Sequence, residues 1–265
     1  MTPRLVASDL DGTIVRGDGT ITPRTVAAFA RIERAGAQFV FVTGRPPRLM
    51  GDVVEAFRHQ GAAICANGAL TYDLHLGKVV DEYLIPPVQL AEAARRLRAA
   101  IDGIGIAVEY ADALAGDARY EPGDWDADVI LQRLPDVELF ARPAPKLLGR
   151  HPELSVDELL RLAAPALAGI VNVYHSNGLR LIEAVATGVS KASALADLAA
   201  RQGIGPADVI AFGDMPNDLP MLAWAGTSYA VANAHPDVLG AADRVIGAND
   251  DDGVAVALEQ LFPDL

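Results

Sequence analysis

Cysteine is nearly absent from this sequence: Cys65 stands alone among 265 residues. No disulfide can close within the chain, which suits a reducing compartment. Long apolar runs are also missing. None approaches the roughly 20 residues needed to cross a bilayer, and the first ten residues, MTPRLVASDL, lack the apolar stretch of a secretory signal. Basic residues are scarce, with 22 Lys and Arg against 35 Asp and Glu and a net charge of −13. That balance argues against a nucleic-acid partner, because phosphate backbones are bound through clustered Lys and Arg. It leaves room for small phosphorylated ligands, since a bound divalent cation inverts the local charge. Internal repeats and low-complexity segments are absent too. The expectation is a soluble, cytoplasmic protein.

What the chain does have is apolar content of 51%, enough with this length for one large domain or two modest ones. Short β-rich runs alternate with helical stretches, the pattern of a parallel sheet covered by helices. Leu5–Ser8 reads as a first strand, and Thr22-Pro23 opens a helix that stops at Gly36. Gln38–Val42 is a second strand, Pro46-Pro47 opens a helix running to about Gly61, and Ala62–Ala66 is a third strand. The texture changes near Tyr83. A helix over Val88–Ile101, an alternating strand Ile104–Tyr110 and a capping box at Ser155-x-x-Glu158 follow. The strands Asn172–Ser176 and Leu179–Ala184, joined by Asn177-Gly178, then read as a tight hairpin. The βα rhythm returns after Gly188 with a helix over Ser190–Gln202 and a strand over Val209–Phe212. The expected organisation is an α/β, Rossmann-like core in two parts, residues 1–83 and 187–265, interrupted by an α+β insert at 84–186. The run Asn249–Asp252 reads as a solvated loop with a helix cap.

In open α/β sheets, ligands gather at the carboxyl ends of the strands. Here those ends deliver Asp9-x-Asp11-Gly-Thr13, Thr43-Gly44-Arg45, Asn67-Gly68 and Gly213-Asp214-x-x-Asn217-Asp218. A strand-ending turn needs only one aspartate, so the pair Asp9 and Asp11 asks for more. Acids converging from two strands would disfavour one another's ionised forms unless a hard cation such as Mg²⁺ joined them. Taken singly, Asp214 fits a Gly-Asp turn and Asp218 a helix N-terminus equally well. Lys191 opens a helix behind Ser190, where a cation opposes the helix dipole, an arrangement suited to an anion site. Thr43 and the backbone of Gly44 are further donors. Arg45 suits either a phosphate or a carboxylate. His59, His151 and His235 lack metal-ligand spacing and read as surface or capping residues.

These four ordered motifs resemble those of the haloacid dehalogenase superfamily, and most closely its Cof-like phosphatases. Lys191 follows Thr43 by 148 residues (191 − 43), while Thr43 follows Asp9 by only 34 (43 − 9). The insert therefore falls where Cof-like members carry an α+β cap of the C2 type.

The resemblance implies a phosphatase in which Asp9 attacks phosphorus to form an aspartyl-phosphate. Asp11 would protonate the leaving alcohol and later activate water, since one carboxylate cannot be nucleophile and acid in the same step. Mg²⁺ would be held by Asp9, Asp214 and the backbone carbonyl of Asp11, with Asp218 ordering a metal-bound water or Lys191. Thr43, Gly44, Lys191 and Asn217 would hold the phosphate. Retention of Asp11 argues against dehalogenation, because a halide leaves without a proton. The implied substrates are small phosphorylated metabolites such as sugar phosphates, with pyridoxal phosphate and flavin mononucleotide as further candidates. The insert, around Glu109-Tyr110 or Arg142–Arg150, would read them, opening and closing about linkers at Asp81–Ile85 and Ala184–Gly188. Alternatives are a phosphomutase or phosphotransferase on the same scaffold, a receiver-like phosphoryl acceptor, and a non-catalytic binding protein.

Overall fold

The computed structural model describes residues 3–58, 60–123, 129–175 and 180–263. It is a mixed α/β protein of two units. One comprises Met1–Arg45, Leu49–Val80 and Ser190–Leu265, the other Pro46–Arg48 and Asp81–Val189.

The first unit begins with β1 (Leu5–Ser8), an apolar strand buried along its whole length. Helix α1 (Pro23–Arg34) starts where Thr22 accepts the Thr25 amide and Pro23 presets the first turn. β2 (Gln38–Val42) follows, then α2 (Gly51–Ala56) and β3 (Ala62–Cys65). The expected continuous helix from Pro46 to Gly61 is broken into a 3₁₀ turn at Pro47–Leu49 and the six-residue α2. A cause is visible: the Leu49 carbonyl, which a continuous helix would use internally, accepts instead from Arg45 Nη1 at 3.1 Å. β4 (Leu70–Asp73) and β5 (Lys78–Glu82) are strands that the sequence reading passed over. They are joined by a turn in which Asp73 Oδ1 accepts the Leu76 amide.

The second unit carries α3 (Pro87–Ala100), β6 (Gly105–Glu109), β7 (Leu114–Gly116), β8 (Leu131–Arg133), α4 (Asp136–Leu139), β9 (Lys146–Arg150), α5 (Val156–Leu167), β10 (Val171–Tyr174) and β11 (Leu181–Ala186). Its strands form one sheet in the order β10-β11-β9-β6-β7-β8. Alternation puts Ile106, Val108, Leu147, Ile182 and Ala184 against Leu90 and Leu97 of α3 and Leu159 and Leu167 of α5. β10 and β11 pair antiparallel as the hairpin reading expects, while its turn, Asn177-Gly178, lies outside the described residues.

The chain then returns to the first unit through α6 (Lys191–Arg201), β12 (Val209–Gly213), α7 (Leu219–Trp224), β13 (Thr227–Val231), α8 (Pro236–Ala241), β14 (Arg244–Ile246) and α9 (Gly253–Leu261). The sheet runs β14-β13-β12-β1-β2-β3-β4-β5, parallel through β3 and antiparallel at β4. The acidic run is more than a solvated loop. Asp252 accepts from Arg16 and Thr22, and Asp250 from the Gly17 amide, so the run ties the final helix to the segment after β1. Among the described residues, no helix is long and apolar enough to cross a membrane.

Candidate active site

Register brings the acids together. Ser8, the last residue of β1, stands opposite Phe212 of β12 and Phe41 of β2, so all three strands run out at one level. Asp9, Asp214 and Thr43 follow directly. Only the carboxyl end of a parallel sheet allows this, because neighbouring chains there all exit on the same side.

Asp9, Asp214 and Asp218 offer oxygens that all lie within 4.8 Å of one another, and all three residues are buried. Between them reaches Lys191, whose Nζ donates to Asp9 Oδ1 at 2.7 Å and to Asp218 Oδ1 at 2.6 Å. Lys191 is the first residue of α6 and only 2% exposed. The second oxygen of Asp218 accepts the backbone amides of Asp214 and Met215 at 3.1 and 3.0 Å. Asp218 is thus occupied on both oxygens, which makes it an organiser of its own loop and of Lys191. Thr13, which the sequence reading gave no role, donates to Asp214 Oδ1 at 3.1 Å. Its signal lay in the Asp-Gly-Thr ending of the first motif.

The electrostatics follow from this crowding. Burial pushes Asp9 up to about 7, with Asp218 and Asp11 adding to the rise and Lys191 opposing it. Asp214 is pushed up to about 9, again by burial first and then by Asp9 and Asp218. Burial would lower the Lys191 ammonium, but its two carboxylate partners outweigh that and hold it charged. One buried cation among three buried carboxylates leaves a deficit of positive charge. The donor set is entirely oxygen, which suits a hard divalent cation such as Mg²⁺. Asp9 and Asp214 have the side chains to hold it, since Asp218 is committed elsewhere.

Asp11 sits apart from that trio. Arg45 grips it with a two-pronged fork, Nε to Oδ2 at 2.8 Å and Nη2 to Oδ1 at 2.5 Å, and uses Nη1 on Asp52 at 3.0 Å. Arg45 therefore pairs with two carboxylates, one of the two kinds of partner that the sequence left open. The Asp11 side chain remains 32% exposed. Thr43 accepts the Arg45 amide through its hydroxyl. Gly44 follows Thr43 directly and is partly buried. Asn217 donates its side-chain amide to Asn67 Oδ1 at 3.1 Å.

The other candidates of the sequence reading have structural partners. His235 caps α8 by accepting the Asp237 amide, and His151 Nδ1 accepts from Glu153 and Leu154. His59 lies outside the described residues. In the second unit, Tyr110 is covered by Arg142, whose guanidinium lies 3.6 Å from the ring centre. Lys146 of β9 bridges Glu109 of β6 at 2.7 Å and Glu183 of β11 at 2.5 Å, and Arg48 takes the other oxygen of Glu109 at 2.7 Å. Three of these four, Glu109, Lys146 and Glu183, lie on the sheet face turned away from α3 and α5.

Residues 6–258 match the family described as haloacid dehalogenase-like hydrolase. The chain is 30% identical to pyridoxal phosphate phosphatase YbhA of Escherichia coli K12, over 96% of this chain and 97% of that one. It is 26% identical to 5-amino-6-(5-phospho-D-ribitylamino)uracil phosphatase YitU of Bacillus subtilis, over 98% of each. Among solved structures, a haloacid dehalogenase-like hydrolase from Bacteroides thetaiotaomicron superposes with a TM-score of 0.80 at 26% identity, covering 98% of this chain and all of that one.

Proposed function

The chain belongs to the haloacid dehalogenase-like hydrolases and is a phosphoric monoester hydrolase; from that premise we propose that it hydrolyses small phosphomonoesters, phosphorylated sugars foremost, through a phosphorylated Asp9 and with Mg²⁺. The observation that carries this reading is the Lys191 ammonium bound to both Asp9 and Asp218, with Asp214 beside them at the sheet's carboxyl edge.

Asp9 supplies a carboxylate oxygen that forms a bond to phosphorus as the ester P–O bond breaks. Lys191 neutralises Asp9 for the approach of an anionic phosphate and then holds the charge on the phosphoryl oxygens. The Thr43 hydroxyl, the Gly44 backbone and Asn217 are assigned as further phosphate ligands. Asp11 gives its proton to the leaving alcohol. It later takes one from the water that attacks the phosphorylated Asp9, which returns as a free carboxylate with release of phosphate. Arg45 orients Asp11 throughout, and each Asp11 oxygen keeps a lone pair for the proton. Asp9 and Asp214 by side chain, and Asp11 by its backbone carbonyl, would hold the Mg²⁺. When bound, the ion supplies positive charge to the phosphoryl oxygens and lets the acids ionise side by side.

Support for sugars comes from the second unit, to which we assign the reading of the rest of the substrate. Its set of Arg48, Glu109, Lys146 and Glu183 is charged throughout, a polar character that favours a hydroxyl-bearing ligand over an apolar ring. The relatives' names show that the leaving group varies widely within the family.

The test is hydrolysis of p-nitrophenyl phosphate and a panel of phosphometabolites by purified protein. Activity should require Mg²⁺, stop in EDTA, and fall by about 10⁴-fold or more in Asp9→Asn. Undiminished hydrolysis by Asp9→Asn would refute the mechanism.

A further inference from the structure

We infer that the turn Ala66–Asn67–Gly68, to which no role has been assigned so far, is the positioning element for Lys191 and Asn217. This rests on the phosphatase reading for its activity readout alone. The turn follows β3, and its three residues all have positive φ: 52° at Ala66, 54° at Asn67 and 103° at Gly68. Left-handed backbone is disfavoured for any residue with a Cβ and most unusual three times in succession. Such a stretch persists only where the surroundings over-determine it.

The hairpin itself does not require it. β3 and β4 pair antiparallel with Cys65 opposite Leu70, leaving four residues to connect them. Loops of that length are ordinarily built around a type I turn, with negative φ at both central residues. What the left-handed path achieves is contact with three of the four motif segments around the site. The Ala66 amide donates to the Arg45 carbonyl at 2.9 Å, and the Asn67 amide to the Thr43 carbonyl at 3.1 Å. Asn67 Oδ1 receives the Asn217 side chain at 3.1 Å. Gly68 lies so close to α6 that a Cβ there would stand 2.2 Å from the Ser190 carbonyl oxygen and 3.2 Å from the Lys191 nitrogen. Ser190 is the N-cap of α6 and Lys191 its first residue. The helix start that carries the catalytic ammonium therefore rests directly on Gly68, and all of these residues belong to one unit.

Two consequences separate positioning from mere fold support. A methyl group at Gly68 must push the start of α6 away, and Lys191 with it. A glycine at residue 67 keeps the left-handed backbone available but removes the acceptor that holds Asn217. Gly68→Ala is expected to remain folded and to lose about 10²-fold in kcat on p-nitrophenyl phosphate, the order that a misplacement of about 1 Å commands. Its inhibition by inorganic phosphate should weaken about tenfold through the displaced ammonium. Asn67→Gly should melt at or above the wild-type temperature and lose about tenfold in kcat, the worth of one hydrogen bond to a binding group. A control in α1, Ile32→Val, should lower the melting temperature yet hold kcat within about twofold.

Crystal structures of both variants give a readout independent of turnover: Gly68→Ala should lengthen the Lys191 Nζ to Asp9 distance beyond its present 2.7 Å. The inference is overturned if Gly68→Ala folds with Lys191 still bonded to Asp9 and kcat unchanged. It is equally overturned if Asn67→Gly is fully active, and that variant decides alone should Gly68→Ala fail to fold. If the wild type hydrolyses no phosphomonoester, the phosphatase reading fails, and the variant structures still decide whether the turn positions Lys191.

Discussion

At the scale of residues, the site is a problem of charge in a buried place. Asp9 and Asp214 hold protons in the folded protein at pH values where the unfolded chain has released them, near 7 and 9 against 3.8. A raised carboxyl pKa stabilises the fold fully below the unfolded value and loses that contribution as pH rises through the folded one. Metal-free protein should therefore become less stable between about pH 4 and 9 on account of these two groups. Mg²⁺ held by these carboxylates, as proposed, would compete with the same protons, so its melting-temperature gain should be larger at about pH 8.5 than at about pH 6. Thermal scans with Mg²⁺ and with EDTA check this; a gain that shrinks with rising pH would be contrary. Arg45 makes a second case. Lysine keeps its charge but cannot reproduce the fork that binds both oxygens of Asp11. Arg45→Lys should reduce kcat about tenfold on sugar phosphates, whose alkoxide needs a proton, and less on p-nitrophenyl phosphate, whose leaving group does not.

Elements come next, and their ends matter more than their middles. α1 is held at its start by Thr22, whose hydroxyl accepts the Thr25 amide and donates to Asp252 at 3.0 Å. Thr22→Ala should cost about 1 kcal/mol and about 2–4 °C in melting temperature. Because α1 carries none of the candidate site residues, kcat should stay as it is; a calorimetric scan beside an activity assay separates the two. The start of α1 was legible, since Thr-Pro is a strong cap signal. The break before α2 was not, because the Leu49 carbonyl is diverted by a side chain whose direction is settled only by Asp11 and Asp52. β4 and β5 were readable in principle from the Asp73 and Gly77 turn. β5, with alternate residues exposed, lacks the unbroken apolar run that marked β1 and β2.

For the whole molecule, the chain divides into a unit that carries the acidic sheet edge and a second unit with a sheet and core of its own; the proposed function assigns phosphate to the first and the rest of the substrate to the second. Exchanging residues 81–189 for the equivalent segment of a relative should change the preferred substrate and leave the need for Mg²⁺ and for Asp9 untouched. A kinetic panel on the chimaera tests this, and loss of the Mg²⁺ requirement would count against separate roles.

By itself the sequence determined the βα order, the change of texture near Tyr83, the acids and threonine at the strand ends, and the lysine that opens a helix. Those features are local: strand periodicity, caps and turn residues act over a few positions, and β-strand ends are marked by where apolar runs stop. Three things were decided only in the folded protein. Arg45 could serve a phosphate or a carboxylate until Asp11 and Asp52 came within reach of its fork. Asp218 became an organiser because both its oxygens were claimed, one by Lys191 from 27 residues away in the chain. The segment Pro46–Arg48 joined the second unit, where Arg48 found Glu109. Each of these depends on partners distant in sequence, and a carboxylate or guanidinium carries no local mark of which long-range partner will neutralise it once water has been removed.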